Sequence, residues 1–231
     1  MLRHTPVLLP EVLDLLPAKY ETFLDGTLGH AGHTQALLAQ VKSKGGSIKV
    51  VGIDRDVQMI EKAKAFLGDD ADKVVIVQGS YADFPAIIKQ SGVEQFDAML
   101  LDLGVNMDHF KMAERGFSIK LDGDLDMRYD RTVGIPASTW LKQAGYDELM
   151  KAWELYTDFS PKYRDWISKE LVHSNKVKPF ETTQELRERA KQHNINDKVL
   201  AVLFQAIRIT VNDELGELQK FLQSSLPFLI V

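Results

Sequence analysis

Phe23-Leu24-Asp25-Gly26-Thr27-Leu28-Gly29-His30-Ala31-Gly32-His33 is the stretch that decides the fold: a short apolar strand enters a turn with three glycines, and an amphipathic helix follows over about residues 33–42. Glycine tolerates positive φ and close backbone approach, and the first turn of a helix aims unpaired N–H groups at whatever sits beside it. Nucleotide-like cofactor sites begin this way. A second β-branched strand over 48–53 ends at Asp54, about 25 residues after Gly29, and Asp56 stands where it can cap a helix running to about residue 67. A third strand over 74–77 precedes Gly79-Ser80-Tyr81, and a fourth over 96–101 precedes Asp102-Leu103-Gly104.

Alternation of strand and helix at this spacing predicts parallel βαβ units, whose ligands bind outside the carboxyl ends of the strands. Gly29, Asp54, Tyr81 and Asp102 are therefore expected to converge, with Asp54 placed to bind ribose hydroxyls. Two cofactor classes fit. A dinucleotide wants G-x-G-x-x-G, whereas the glycines here stand three apart at 26, 29 and 32. That spacing favours S-adenosylmethionine, which needs the turn only for close approach.

The 231 residues are 45% hydrophobic and 26% charged, as in an ordinary globular protein of one large domain or one domain with an insertion. No apolar run approaches 18 residues and no charged-then-apolar leader opens the chain, so neither a membrane span nor secretion is expected. The chain has no cysteine, which removes disulfides and thiolate chemistry and fits a cytoplasmic protein. With 28 Lys+Arg against 33 Asp+Glu the net charge is −5, so any RNA contact must be a local basic patch.

Residues 105–130 are polar, irregular and dense in charge, and loops this long inside a compact domain are usually functional. Residues 136–217 read as helical throughout, with apolar residues at three and four spacing over 146–156, 163–172, 183–192 and 199–222. Pro179 marks a break, and Thr182-Thr183-Gln184-Glu185 carries a capping signature. Residues 228–231 look like the start of another strand. The expected organisation is a cofactor-binding domain over 1–106, a substrate loop and helical insertion over 107–198, and a return to the first domain over 199–231.

The chain resembles the MraW (RsmH) family of methyltransferases over nearly its whole length. The resemblance is carried by His4-Thr5-Pro6-Val7-Leu8-Leu9 with Glu11-Val12-Leu13, by Asp25-Gly26-Thr27-Leu28-Gly29 with Gly32-His33, by Ile53-Asp54-Arg55-Asp56 and by Leu101-Asp102-Leu103-Gly104-Val105. More specific are Glu114-Arg115-Gly116-Phe117-Ser118, Leu125-Asp126-Met127-Arg128, and Phe204-Gln205-Ala206-Ile207-Arg208-Ile209 with Val211-Asn212 and Glu214-Leu215. It implies a Rossmann-like methyltransferase fold with an inserted all-helical subdomain, and N4-methylation of a cytosine in the decoding region of 16S ribosomal RNA. It also implies S-adenosylmethionine contacts at Ala31, Gly32, His33, Asp54, Tyr81, Asp102 and His109. The chain departs from the family pattern at Ala31, over 105–109 and at Asp124. The family pattern also continues past a strand like 228–231, so the sheet is expected to lack its last strands.

Methyl transfer to an exocyclic amine needs collinear acceptor, methyl and sulfur, and acceptor oxygens near the amine hydrogens. Asp102 and Asn106 are the candidates for the second task. A base taken out of its stack needs an aromatic clamp, for which Phe110, Phe117 and Tyr129 lie in the right loop. Arg115, Arg128 and Arg208 are candidates for the substrate phosphates, although pairing with nearby aspartates is the commoner fate of an arginine. The basic stretches 162–178 and 187–191 read mainly as solvated helix faces. Asp122, Asp124 and Asp126 alternate as in a calcium loop, but the glycine and distal glutamate of that loop are not where they should be, so no metal is expected. The expected partner is the small ribosomal subunit, with the oligomeric state open and a homodimer among the options. Two other readings remain: the same fold acting on a different substrate, and a non-catalytic ribosome-associated protein.

Overall fold

A computed structural model describes residues 6–16 and 20–230; His4 and Thr5 of the N-terminal motif and Val231 lie outside them. The chain forms two compact units, one of residues 1–104 with 215–231 and one of residues 105–214.

In the first unit, helix α1 (Leu9–Leu15) precedes strand β1 (Thr22–Asp25), helix α2 (Gly32–Ser43), strand β2 (Lys49–Asp54) and helix α3 (Val57–Leu67). Strand β3 (Val74–Gln78), helix α4 (Phe84–Ser91) and strand β4 (Ala98–Leu100) follow. The strands pair in parallel in the order β3-β2-β1-β4. This is a Rossmann-like sheet, as the alternation predicts. Because β4 lies on the opposite side of β1 from β2, the topology switches beside the end of β1, which is where ligands of such sheets bind. Val50, Val51 and Ile53 are fully buried, so β2 reads as a continuous apolar run rather than an alternating one. Asp56 caps α3 by accepting from the Gln58 N–H, and the last strand of this pattern is weaker than expected. Residues 226–228 form a 3₁₀ turn, and among the described residues of this segment only Leu229 bridges in parallel to Phe96, through Phe96 N–H to the Phe228 carbonyl and Ile230 N–H to the Phe96 carbonyl.

The second unit holds helices α5 (Ala137–Gln143), α6 (Tyr146–Tyr156), α7 (Pro161–Val177), α8 (Thr183–Gln192) and α9 (Asp197–Val211). Their starts are written locally. Ser160 caps α7 ahead of Pro161, Thr182 and Glu185 form a reciprocal capping box on α8, and Asn196 caps α9. Trp153, Leu149, Leu141, Leu200 and Ile207 fill one core, each worth roughly 1.5–3 kcal/mol of burial.

Two boundaries differ from the expectation. The apolar pattern over 199–222 is not one helix: Asp213 takes a left-handed φ of 48° and separates α9 from α10 (Glu214–Ser225). The return to the first unit begins at 215 rather than 199, because Leu200, Leu203, Phe204 and Ile207 of α9 are buried in the helical core. Phe221 of α10 instead meets Tyr81 and Phe84 at 5.7 and 5.5 Å edge-on, within the core of the first unit.

Candidate functional site

The glycine turn after β1 is knitted to the ends of its neighbours. Gly26 N–H donates to the Leu100 carbonyl of β4 and Leu28 N–H to the Ile53 carbonyl of β2. Asp54 closes the turn: one carboxylate oxygen accepts the Gly29 N–H at 2.7 Å and the other the Asp56 N–H at 2.8 Å. On the other side the Asp102 N–H donates to Thr27 Oγ1 at 2.7 Å, leaving its carboxylate exposed. A Cβ on Gly26 would press on the end of the Leu101 side chain, which would have to move aside, so glycine lets the two pack closely.

Asp25 was assigned no separate part by the sequence, yet it is the most perturbed group of this site. It is 2% exposed, accepts from Thr34 Oγ1 at 2.7 Å and from the Thr27 N–H at 3.3 Å, and is pushed up to about 6. Burial is the largest cause and the neighbouring Asp54 charge adds to it, while the Thr34 hydrogen bond and His33 oppose it. Three carboxylates, Asp25, Asp54 and Asp102, thus end three adjacent parallel strands or the turns after them.

The rest of the glycine motif sits beneath residues 6–7. Ala31 is fully buried with a φ of 61°, a conformation costing a non-glycine residue roughly 1–2 kcal/mol. A Cβ on Gly32 would meet Pro6 Cγ at 2.5 Å. His33 Nε2 donates to the Val7 carbonyl at 3.0 Å, and its Nδ1 stands 4.0 Å from the Asp102 carboxylate. Tyr81 is 9% exposed and packs in the core. Glu217 on α10 went unnoticed in the sequence, having no signal beyond helical periodicity. Its carboxylate accepts from Ser80 Oγ and lies 3.8 Å from Arg55, so it reaches the turns that follow β3 and β2.

The loop of residues 105–131 is more closely built than its polar composition suggests. Asn106 Oδ1 accepts the Asp108 N–H, and the Asn106 carbonyl accepts the His109 N–H. His109 is buried and stacks on Phe117 at 4.9 Å, and Phe117 stacks on Tyr129 at 5.7 Å. Asn212, just past the end of α9, pins the loop by accepting the Tyr129 N–H and donating to the Met127 carbonyl.

The three arginines expected to meet substrate phosphates each have partners within this unit. Arg115 is 2% exposed and donates to the Arg128 and Tyr129 carbonyls, so it holds the loop. Arg128 grips both oxygens of Asp126 at 2.8 and 2.9 Å, and Arg208 grips Glu214 at 2.8 and 3.2 Å. Planar bidentate pairs of this kind are the strongest use of a guanidinium short of a ligand. Phe117, at 4% exposure, belongs mainly to the core, whereas Phe110 is 37% exposed. Asp102 falls in the first unit and Asn106 in the second.

Against protein-family models, residues 1–230 match the MraW methylase family. The chain belongs to that family. It is accordingly a methyltransferase by descent, and the resemblance read from the motifs stands over the whole described chain. Among the described residues no helix of this methylase is long and apolar enough to cross a membrane.

Proposed function

We propose that the protein transfers a methyl group from S-adenosylmethionine to the exocyclic N4 of a cytosine in the decoding region of 16S ribosomal RNA, acting in the cytoplasm on the small ribosomal subunit. The observation that carries the cofactor is the trio Asp25, Asp54 and Asp102 around the glycine turn. S-adenosylmethionine carries positive charge on sulfur and on its amino group, and carboxylates favour that charge, whereas a dinucleotide would bring an anionic pyrophosphate to the same place. A carboxylate has about four lone-pair sites, so backbone anchoring by Asp54 is compatible with accepting ribose hydroxyls.

When bound, the cofactor supplies a methyl group already activated by its positive sulfur. The residues then have to orient and to take up a proton. The glycine turn, locked by Asp54 and Thr27, gives the orientation, which can contribute several kcal/mol. The cytosine amine is a poor nucleophile because its lone pair is delocalised into the ring. The exposed Asp102 carboxylate and the Asn106 side-chain oxygen are the groups proposed to accept its hydrogens, localising the pair as the new bond forms. The net charge of −5 favours an assembled subunit, where shape contributes to recognition, over free RNA held by charge alone.

Calorimetric titration of S-adenosylmethionine, followed by tritiated methyl transfer to small ribosomal subunits with nucleoside analysis, tests the reading. Saturable binding and label recovered as N4-methylcytidine are expected. Binding with label in another nucleoside would move the substrate, and absence of binding by folded protein would remove the cofactor.

A further inference from the structure

The helical unit contains a cleft of about 710 Å³ between residues 110–121 and α9. Phe110, Phe117 and Phe204 contribute aromatic walls, and Lys120, Gln205 and Arg208 contribute polar groups. Its lining includes three cations, with Lys111 the third, and no carboxylate. That is a local departure, because residues 105–214 hold 17 Lys and Arg against 18 Asp and Glu. Lys111 is paired with Asp108 and Arg208 with Glu214. The side chains of Lys120 and Gln205 have no hydrogen bond or ion pair among the described residues.

An apolar slot with one exposed aromatic ring, Phe110, over a floor that includes the buried Phe117 and Phe204, and with an uncommitted carboxamide and an uncommitted ammonium, has a specific chemistry. Aromatic side chains stack on the face of a base, a carboxamide offers donor and acceptor to a base edge, and an ammonium meets the phosphodiester attached to it. An aliphatic ligand would use the walls and leave the polar groups idle. A free anion would use the cations and leave the rings idle. We propose that this cleft holds one unstacked nucleotide of a single-stranded RNA segment, the base against Phe110, its edge on Gln205 and its phosphate on Lys120. The inference rests on the RNA substrate put forward above and adds to it a place on the protein where RNA is read.

The test is fluorescence anisotropy of a labelled single-stranded pentaribonucleotide with the full chain, beside an oligomer of ribose phosphates without bases. Ala201 is exposed at the cleft on α9, so Ala201→Trp fills the opening from the surface. Lys120→Glu and Gln205→Ala are surface changes that keep the test sound should the tryptophan disturb folding. Binding of the pentamer is expected to weaken about tenfold or more in A201W and K120E, and to a similar degree on removing the bases. Titration of S-adenosylmethionine serves as the control for an intact first unit and is expected to be unchanged. The proposal is overturned if the native chain does not bind the pentamer, if folded A201W and K120E bind it as the native chain does, or if the oligomer without bases binds equally well. Methylation of small subunits is read separately. Methylation without pentamer binding sinks the cleft alone, whereas cleft-dependent binding without methylation sinks the proposed reaction and keeps the cleft.

Discussion

The Asp25 carboxyl, sealed at the end of β1, titrates near pH 6 because burial opposes its charge more than Thr34, His33 and Thr27 offset. Its ordinary value is 3.8. A raised folded value means that the stability it contributes is fully present below about pH 4 and is lost as pH rises through about 6. The span corresponds to about 3 kcal/mol. Asp25→Asn is therefore expected to gain thermal stability relative to the native chain between pH 4 and pH 7, measured by thermal denaturation in a pH series. A difference that stays flat over that range would count against a buried ionisation. Asp54 makes the opposite kind of contribution, since two backbone N–H groups depend on its oxygens. Asp54→Ala leaves both without their acceptor, at about 1–3 kcal/mol each where buried, and is expected to weaken S-adenosylmethionine binding at least about tenfold by calorimetry. Asp54 was legible because it ends a β-branched run. Asp25 was visible as a residue and its state was not, because desolvation depends on what packs around it.

At the level of elements, α10 ties down the site of the first unit through Glu217. Glu217→Ala releases Ser80 and Arg55 together, so the expected result is a several-fold rise in KM for S-adenosylmethionine with kcat much less affected. Glu217→Gln can still accept from Ser80 and should recover part of the loss, whereas a merely structural helix position would show no such split. In the helical unit, the loop of residues 105–131 depends on Asp126, 3% exposed and gripped by Arg128 and Arg131. Burial alone would raise this carboxyl, but the hydrogen bonds and charge of Arg128 outweigh it and hold it below the usual range. Its contribution is present at neutral pH and is lost as pH falls through that depressed value. Asp126→Asn strands two guanidiniums and is expected to cost about 3 kcal/mol by chemical denaturation at pH 7, and less in acid. Capping residues made α3 and α8 readable from the chain, since a cap is a contact within four residues. The break at Asp213 was not, because apolar spacing runs on through it on both sides.

For the whole molecule, a ligand that binds only the folded chain stabilises it by mass action. At a hundred times its dissociation constant, S-adenosylmethionine should contribute about 2.7 kcal/mol and raise Tm by about 5–10 °C, with the shift cut to about half or less in Asp54→Ala. Scanning calorimetry with and without the cofactor checks this. Periodicity, β-branched runs and the glycine turn were enough to specify a Rossmann-like sheet, an inserted helical unit and the family, because each depends on residues close together in the chain or on motifs retained whole. Packing alone decided the rest. It assigned α9 to the helical core, since the apolar face of a helix does not name the surface it will meet. It placed Phe117 inside, and it committed Arg115, Arg128 and Arg208 to carbonyls and carboxylates, because an arginine's partner can lie anywhere in the chain and only folding brings the two together.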